Sequence, residues 1–254
     1  MGGRLLLFFG FLGLLIGVWE ALTMAGFWPP YALPSPGDVF VTLWDNTVNG
    51  RIPEALVISM RRLFIGYSIS LAIGMAIGIA SGSVRQVDET VGTVTLGLQS
   101  LPSIVWLPLA VLWFGLNEQA IIFVVLMGSL FSVAVSARSG VLTIPPLLRR
   151  TGQTYGASTW QMYRYIILPG MMPSAVQGLK LGWSFAWRSL MAGELLVAGL
   201  GIGQTLTMAR DLNDMSLVIA VMLVIVAVGL VTDRLVFARV ESWVQERWGL
   251  ATRG

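Results

Sequence analysis

The feature that most restricts the fold of this chain is a series of long apolar runs with few charged residues inside them. Of its 254 residues, 56% are apolar and 11% are charged, whereas soluble domains carry about 25% charged residues. Such a chain lacks the polar surface that a water-soluble fold needs. A cytosolic enzyme, a disordered chain and a nucleic-acid binder are therefore disfavoured, and the composition predicts a polytopic membrane protein.

Six segments are long and apolar enough to be spanning helices, which need roughly 20 mostly apolar residues. The predicted spans lie near residues 5–27, 57–82, 90–115, 119–142, 171–198 and 215–238. The first is interpreted as a retained helix, with a cleaved signal peptide as the alternative. Pro102 and Pro108 interrupt the third span and indicate either a kink or the lining of a pathway.

The arginines predict the orientation, because the cytoplasmic ends of spans carry an excess of basic residues. With the N-terminus inside, ten arginines lie near inner ends: Arg4, Arg85, Arg138, Arg149, Arg150, Arg164, Arg234, Arg239, Arg247 and Arg253. Four lie near outer ends: Arg51, Arg61, Arg62 and Arg210. We therefore predict that both termini are cytoplasmic; the Arg61-Arg62 pair fits this orientation least well. The net charge of +3 suits basic loops facing an anionic lipid surface.

Residues 28–55, between the first two spans, are predicted to form an interfacial segment on the outer face. The sequence Leu33-Pro34-Ser35-Pro36 is stiff and extended, since proline fixes its own φ and restricts the residue before it. Ser35 or Asp38 is the expected cap of a short amphipathic helix with Val39, Leu43 and Val48 on its apolar side. Tryptophans suit interfacial belts or ordinary packing at six positions: 28, 44, 106, 113, 243 and 248.

Small residues recur at every fourth position of the second span, at Gly66, Ser70, Gly74, Gly78 and Gly82. Small side chains let helix backbones approach closely in lipid. The stripe predicts close helix packing, either within this chain or between subunits.

The chain has no cysteine and no histidine, which removes thiol chemistry and the commonest general base and metal ligand. No catalytic group and no metal site is therefore predicted. No Gly-x-x-x-x-Gly-Lys-Ser/Thr phosphate loop occurs, and the only lysine is Lys180. The chain is not expected to be an enzyme or to hydrolyse ATP itself.

The loop at 143–169 is too polar to span the membrane and too long for a simple turn. Ser158 followed by Gln161 is a capping-box pattern, and Gly156 allows a sharp break just before it. Pro169 is expected to follow the end of the second short helix and to reset the chain direction. The pattern predicts two short cytoplasmic helices around a glycine hinge, suited to docking a soluble partner.

This 143–169 segment resembles the coupling loop of ABC importer permeases. The family pattern has Glu-Ala-Ala, three residues, Gly, nine residues, Ile, one residue and Leu-Pro; here Gly156 is followed by nine residues and then Ile166-Ile167-Leu168-Pro169. The Glu-Ala-Ala positions instead hold Arg150-Thr151-Gly152. The resemblance assigns ATPase coupling to twelve residues: Thr151, Tyr155, Gly156, Ala157, Ser158, Trp160, Gln161, Tyr163, Arg164, Ile166, Leu168 and Pro169.

Other sequences resemble the sulfonate/nitrate/taurine branch of that family, and the resemblance covers residues 30–245. They are Leu33-Pro34-Ser35-Pro36, Ser100-Leu-Pro102, Leu112-Trp113-Phe114-Gly115, Ala186-Trp187-Arg188 and Ala192-Gly193-Glu194. The resemblance implies an all-α type I ABC importer permease (MetI-like) fold with about six transmembrane helices, in one transmembrane domain over 1–254.

The resemblance also implies the partners and the location. A second permease subunit, expected to be another copy of this chain, pairs with it in the lipid of a bacterial inner membrane. Two ABC ATPases bind ATP and Mg²⁺, while this chain binds no cofactor of its own. A periplasmic or lipid-anchored binding protein delivers a small solute, for which the branch suggests a sulfonate, taurine, nitrate or bicarbonate.

Charged residues inside the fifth span complete the candidate pathway, since a charge near the bilayer centre usually faces a cavity or a partner. Arg188 and Glu194 are six positions apart and do not share a helix face. Our hypothesis is that Arg188 stabilises an anion while Glu194 makes a structural or gating contact; buried structural hydrogen bonding by both is the alternative. The predicted pathway residues are Pro102, Ser103, Trp187, Arg188 and Glu194.

Three other functions compete with an ATP-driven permease. An ion-coupled secondary transporter is the main alternative, although the chain shows no histidine relay and no inverted repeat. A membrane enzyme would need converging catalytic groups, and none converges at a suitable spacing. A non-transporting scaffold is the third alternative.

Overall fold

The computed structural model describes residues 2–29, 31–197 and 199–248, and these ranges contain helices and no strand. The α-helices are α1 (Gly2–Met24), α2 (Pro36–Val48), α3 (Arg51–Ser83), α4 (Arg85–Val87), α5 (Thr93–Gln99), α6 (Leu107–Phe114), α7 (Glu118–Leu142), α8 (Pro146–Thr154), α9 (Thr159–Met162), α10 (Leu168–Leu196), α11 (Ile202–Asp211), α12 (Met215–Val231) and α13 (Ala238–Arg247). Asp88–Gly92, Tyr163–Ile167 and Thr232–Phe237 are π-helical, and Ser103–Trp106 is a 3₁₀ turn. The predicted all-helical class is confirmed.

Each of the six predicted spans coincides with helix, but the helices differ in length, charge content and straightness. α3, α7 and the continuous helix Met215–Arg247 are each long and apolar enough to cross a membrane. α1 supplies a shorter apolar stretch, Phe9–Met24, and the 29-residue α10 carries the three charges of the fifth span. Residue 198, Arg253 and the side chain of Arg4, all used in the predictions above, lie outside the described part of the chain.

The third predicted span is a bent pair of helical segments, Arg85–Gln99 and Ser103–Phe114, which meet at 103°. The break falls at Ser100–Pro102, as expected for a residue that cannot donate a backbone hydrogen bond. The predicted interruption at Pro108 is wrong. Pro108 lies in the first turn of α6, where backbone N–H groups have no intrahelical acceptor and proline is well tolerated.

The described residues fall into two compact units, one within 1–58 and 200–227 and the other within 59–199 and 228–254. In the first unit, Ser35 caps α2 and forms the capping box with Asp38, as the sequence predicted. Val39 is buried, whereas Val48 is exposed, so the predicted apolar side of α2 is only partly covered. The indole of Trp19 donates to the Pro34 carbonyl at 3.0 Å and fastens α1 to the start of α2.

In the second unit, α7 packs against both α3 and α10. A Cβ placed on Gly74 of α3 would lie 2.8 Å from the Leu130 carbonyl oxygen of α7, and one on Gly66 would lie 2.8 Å from Val125 Cγ1. The Ser129 hydroxyl of α7 donates to Ser70 at 2.8 Å. The small-residue stripe therefore serves packing within this chain, which was one of its two interpretations.

Candidate functional site

The 143–169 segment forms the short helix α8, a tight turn held by backbone hydrogen bonds, and the start of a longer helix that begins with α9. α8 ends in a Schellman motif: Ala157 N–H donates to the Gly152 carbonyl at 3.0 Å, and Gly156 N–H donates to Gln153 at 3.0 Å. Gly156 has a φ of +70°, a left-handed conformation that glycine adopts without a Cβ penalty. Ser158 then caps α9 through the predicted capping box with Gln161. The predicted first short helix, the break at Gly156 and the capping box are confirmed. The prediction of a second short helix is wrong, because α9 continues into α10.

Gly152 explains how the two helices fit together. It is buried, and a Cβ there would lie 2.7 Å from Met162 Sδ and would also overlap Ile166 Cδ1. Of the three positions that depart from the family pattern, only Gly152 is buried, while Arg150 and Thr151 are exposed. The glycine lets the chain after α9 pack directly on α8.

Of the twelve predicted coupling residues, eight are exposed and four are half-buried. Tyr155 and Trp160 are 87% and 70% exposed, on either side of the Gly156 turn. Six other predicted residues are exposed: Thr151, Gly156, Ser158, Gln161, Arg164 and Leu168. Four are half-buried: Ala157, Tyr163, Ile166 and Pro169. The structure thus presents two aromatic side chains that this chain does not cover.

The predicted role of Pro169 is wrong, because the helix does not end before it. α9, the π-helical segment Tyr163–Ile167 and α10 follow one another without a break, and Pro169 lies in the first turn of α10. Pro169 cannot donate a backbone hydrogen bond, and the π-helical segment directly precedes α10. Pro173, inside α10, likewise cannot donate to the Pro169 carbonyl; the indole N–H of Trp248 donates to it instead at 2.9 Å.

The break in the third span borders a cavity that contains three of the predicted pathway residues. The cavity has a volume of about 310 Å³, and Pro102, Ser103 and Arg188 lie in its wall. The Arg188 Nε–H donates to the Ser184 carbonyl at 3.3 Å, and the guanidinium lies 5.0 Å from the Phe185 ring centre. Among the described residues no carboxylate pairs with Arg188. Within the described ranges, the cavity wall thus carries a guanidinium group without an ion-pair partner, beside serine hydroxyls.

Arg188 also borders a second cavity of about 240 Å³, together with Trp187 and Asp233. Asp233 lies in the π-helical segment Thr232–Phe237 and pairs with Lys180 Nζ at 2.9 Å. Glu241 of α13 lies 3.8 Å from the same ammonium group. The lysine charge of the fifth span is therefore compensated by the helix that contains the sixth span.

Glu194 lines neither cavity and is fully buried. Its carboxylate accepts from Arg62 Nη1 at 2.8 Å and from Ser59 Oγ at 2.8 Å. Arg61 pairs with Glu118 at 2.6 Å. This geometry supports the structural half of the earlier hypothesis for Glu194.

Sequence reasoning missed the partners of these charges. It did not pair Arg62 with Glu194, Lys180 with Asp233, or Arg138 with Asp88. The Arg138 guanidinium donates two hydrogen bonds to the Asp88 carboxylate, one of them at 2.8 Å. For the first two pairs, the usable signal was opposite charge at matching depth in two different predicted spans. Asp88 instead lies between the second and third predicted spans. The described residues contain no group of three or more acidic, Cys or His side chains placed to hold a metal ion.

Three comparisons place these features among known proteins. The chain is 30% identical to a putative aliphatic sulfonates transport permease protein of Escherichia coli (strain K12), over 93% of this chain and 89% of that protein. It is 28% identical to a bicarbonate transport system permease protein of Synechococcus elongatus, over 98% and 90%. An inward-facing structure of the MetNI methionine ABC transporter has the same fold, with a TM-score of 0.67 at 19% identity over 75% of this chain and 94% of that one.

A family model described as "binding-protein-dependent transport system inner membrane component" matches residues 70–240. That range includes the third-span break, the 143–169 segment and all of α10. The predicted fold and family resemblance are confirmed. The chain belongs to the inner membrane components of binding-protein-dependent transport systems, the permease subunits of ABC importers.

Proposed function

We propose that two copies of this chain form the translocation pathway of an ATP-driven importer for a small oxyanion. A binding protein delivers the solute from outside, and two partner ATPases, which hold ATP and Mg²⁺, dock on the 143–169 segment. The complex lies in a bacterial inner membrane with both permease termini cytoplasmic. Family membership supports the binding protein and the ATPases, and the sulfonate and bicarbonate relatives support an anionic solute.

The observation that carries this proposal is the construction of the 143–169 segment. Its turn is fixed by two backbone hydrogen bonds and the capping box, while Tyr155 and Trp160 project uncovered from it. Aromatic side chains on a rigid support are typical anchors of protein–protein interfaces. α9 continues through the π-helical segment into α10, so a force applied at Trp160 is transmitted directly to the helix that carries Arg188.

The cavity at the third-span break supports the anionic solute. Arg188 has no carboxylate partner in the described part of the chain, and Ser103 and Ser132 place hydroxyl groups in the same wall. Arginine and hydroxyl groups are the side chains that bind oxyanions through charge-assisted hydrogen bonds. A cation at this position favours entry of an anion over a cation or a neutral solute.

Co-purification tests the docking role of the 143–169 segment. The tagged chain, expressed with its partners, is purified in mild detergent beside Gly156→Pro, which fixes φ near −65° and is incompatible with the left-handed turn, and beside Trp160→Asp. Trp44→Asp is the matched control, since Trp44 is 63% exposed on α2. We expect the ATPase to accompany the native chain and the control but neither variant.

Retention of the ATPase by both variants would overturn the docking site, and an intact permease that never retains an ATPase would favour ion-coupled transport. Native mass spectrometry counts the subunits: two copies of this chain per complex are expected, and one copy beside a different permease would contradict the homodimer. Uptake that persists with ion gradients collapsed and ATP present is expected only of the ATP-driven importer.

A further inference from the structure

An apolar groove of about 690 Å³ lies in the second unit at the end of α10 that adjoins the 143–169 segment. Met75 of α3 and Leu168, Met171, Met172 and Ala175 of α10 line it. Leu168 and Met172 are 42% and 40% exposed. Met171 and Ala175 are buried and form its floor, so the open part of the groove is lined by Met75, Leu168 and Met172. Flexible apolar side chains of this kind suit a ligand with a hydrocarbon chain.

Two arginines flank this apolar surface. Arg164, in the π-helical segment, and Arg247, at the end of α13, both line the groove and are exposed. In the described ranges neither forms an ion pair; the Arg247 guanidinium lies 5.3 Å from the Trp243 ring centre. The groove therefore combines two uncompensated positive charges with an apolar floor.

Trp248 lines the groove and holds Arg247 close to its apolar residues. Its indole N–H donates to the Pro169 carbonyl at 2.9 Å, the carbonyl that Pro173 leaves without its helical donor. This bond fastens the end of α13 across the first turn of α10 and places Arg247 beside Leu168 and Pro169 in the groove. The pairing of charge and apolar surface thus depends on a specific tertiary contact.

We propose that this groove binds an anionic phospholipid of the cytoplasmic leaflet, with its phosphate on Arg164 and Arg247 and an acyl chain along Met75, Leu168 and Met172. Charge complementarity selects this occupant, because basic pockets between membrane helices bind anionic headgroups, while the apolar floor takes the chain. The lipid would bridge α3, α10 and α13 at the base of the 143–169 segment. This site is independent of which solute the permease carries.

The test is native mass spectrometry of the assembled complex, supplied with equal amounts of phosphatidylglycerol and phosphatidylcholine of the same chain length. The native complex should retain phosphatidylglycerol on the order of tenfold better. Arg164→Gln with Arg247→Gln should remove this preference. The charge-matched control, Arg85→Gln with Arg239→Gln, changes two exposed arginines outside the groove and should keep it.

Two further arms separate a lipid from other occupants. Met172→Trp fills the groove while both arginines stay, so retention of phosphatidylglycerol should fall. If the double arginine variant does not assemble, the result for Met172→Trp decides the test. Glycerol phosphate, which carries the charge without the chain, should not displace the lipid. An unchanged preference in the double arginine variant, unchanged retention of phosphatidylglycerol in Met172→Trp, or displacement by glycerol phosphate overturns the proposal.

A Met172→Cys variant tests whether a protein occupies the groove. The native chain has no cysteine, so the introduced one is the only thiol. We expect a lipid-soluble maleimide to label it in the assembled complex. Cross-linking of this cysteine to the second permease copy or to the ATPase would show that a protein covers the groove, which also overturns the proposal. The uptake assay of the proposed function does not enter any of these readouts, so the two proposals fail separately.

Discussion

Arg62 and Glu194 form a buried ion pair, with Nη1 2.8 Å from Oε1, although they lie 132 positions apart in the chain. Ser59 donates to the same carboxylate, and the adjacent Arg61 pairs with Glu118 at the start of α7. These contacts join α3, α7 and α10 at one end. They also give a reason for two adjacent arginines where the orientation rule least expects them, because both charges are compensated by carboxylates.

Removing one partner of this pair should destabilise the protein strongly. Glu194→Ala leaves the buried Arg62 guanidinium with only the longer contact to Glu118, at 3.9 Å. We therefore expect the free energy of unfolding to fall by up to about 3–5 kcal/mol. Arg62→Met together with Glu194→Leu should recover most of that loss, since both charges are then absent. Unfolding in detergent, followed by tryptophan fluorescence, measures the difference.

Arg61→Ala is the control for that prediction. Its side chain is 61% exposed, and exposed ion pairs contribute about 0–1 kcal/mol. Equal losses for Arg61→Ala and Glu194→Ala, or a double variant as unstable as the single one, would contradict the assignment of the buried pair.

The contact between α3 and α7 predicts opposite effects for two glycine substitutions. A Cβ on Gly74 would lie 2.8 Å from the Leu130 backbone oxygen, which cannot move without displacing α7, so Gly74→Ala should destabilise by about 1–3 kcal/mol. Gly97 in α5 has nothing within 4 Å of its Cβ position. Gly97→Ala should be neutral or stabilising by up to about 1 kcal/mol, and thermal unfolding of the pair checks the order.

The bond from Trp248 to Pro169 predicts a rescue. Trp248→Phe keeps the aromatic ring but leaves the Pro169 carbonyl without a donor, a loss of about 1–3 kcal/mol. Pro173→Ala restores a backbone N–H at the position that normally donates to residue 169. We therefore expect Pro173→Ala to offset much of the Trp248→Phe loss in unfolding experiments; strictly additive effects would show that the bond is not the cause.

The turn at Gly156 predicts a ranking of variants in ATPase binding. No atom lies within 4 Å of a Cβ on Gly156, so the effect of a side chain comes from the φ of +70° alone. Gly156→Asn should retain most of the ATPase, because asparagine tolerates this conformation. Gly156→Ala should destabilise the turn by about 1–2 kcal/mol and thereby weaken ATPase binding. Titration of the ATPase onto the immobilised permease gives the ranking; equal affinities would mean that the turn geometry is not required.

Arg188 predicts a charge-dependent effect on uptake. Loss of a hydrogen bond to a charged group corresponds to about tenfold or more in affinity, so Arg188→Ala should lower uptake of an anionic solute by about that factor, and Arg188→Lys should keep part of it. Arg234→Ala, an exposed arginine outside both cavities, is the control. Full uptake by both Arg188 variants would end the assignment of Arg188 to the pathway.

Helix caps and turns could be predicted from the sequence wherever all the residues that form them lie in one short stretch of chain. The cap of α2 at Ser35 and the Gly156–Ser158–Gln161 turn follow from side chains within a few residues of each other. The error at Pro169 arose because a proline can either stop a helix or begin its first turn. Packing of the preceding π-helical segment against Gly152 of α8 favours the continuous helix here.

The sequence by itself determined the helical membrane class, the family, and the helix α8, turn and α9 cap of the 143–169 segment, because hydropathy, motif spacing and capping are properties of neighbouring residues. Only the tertiary structure decided that the glycine stripe of α3 packs on α7, that Glu194 is compensated by Arg62, and that Arg188 borders a cavity without a carboxylate. Those outcomes depend on how helices far apart in the chain align. Opposite charges 132 positions apart have no local pattern that marks them as partners.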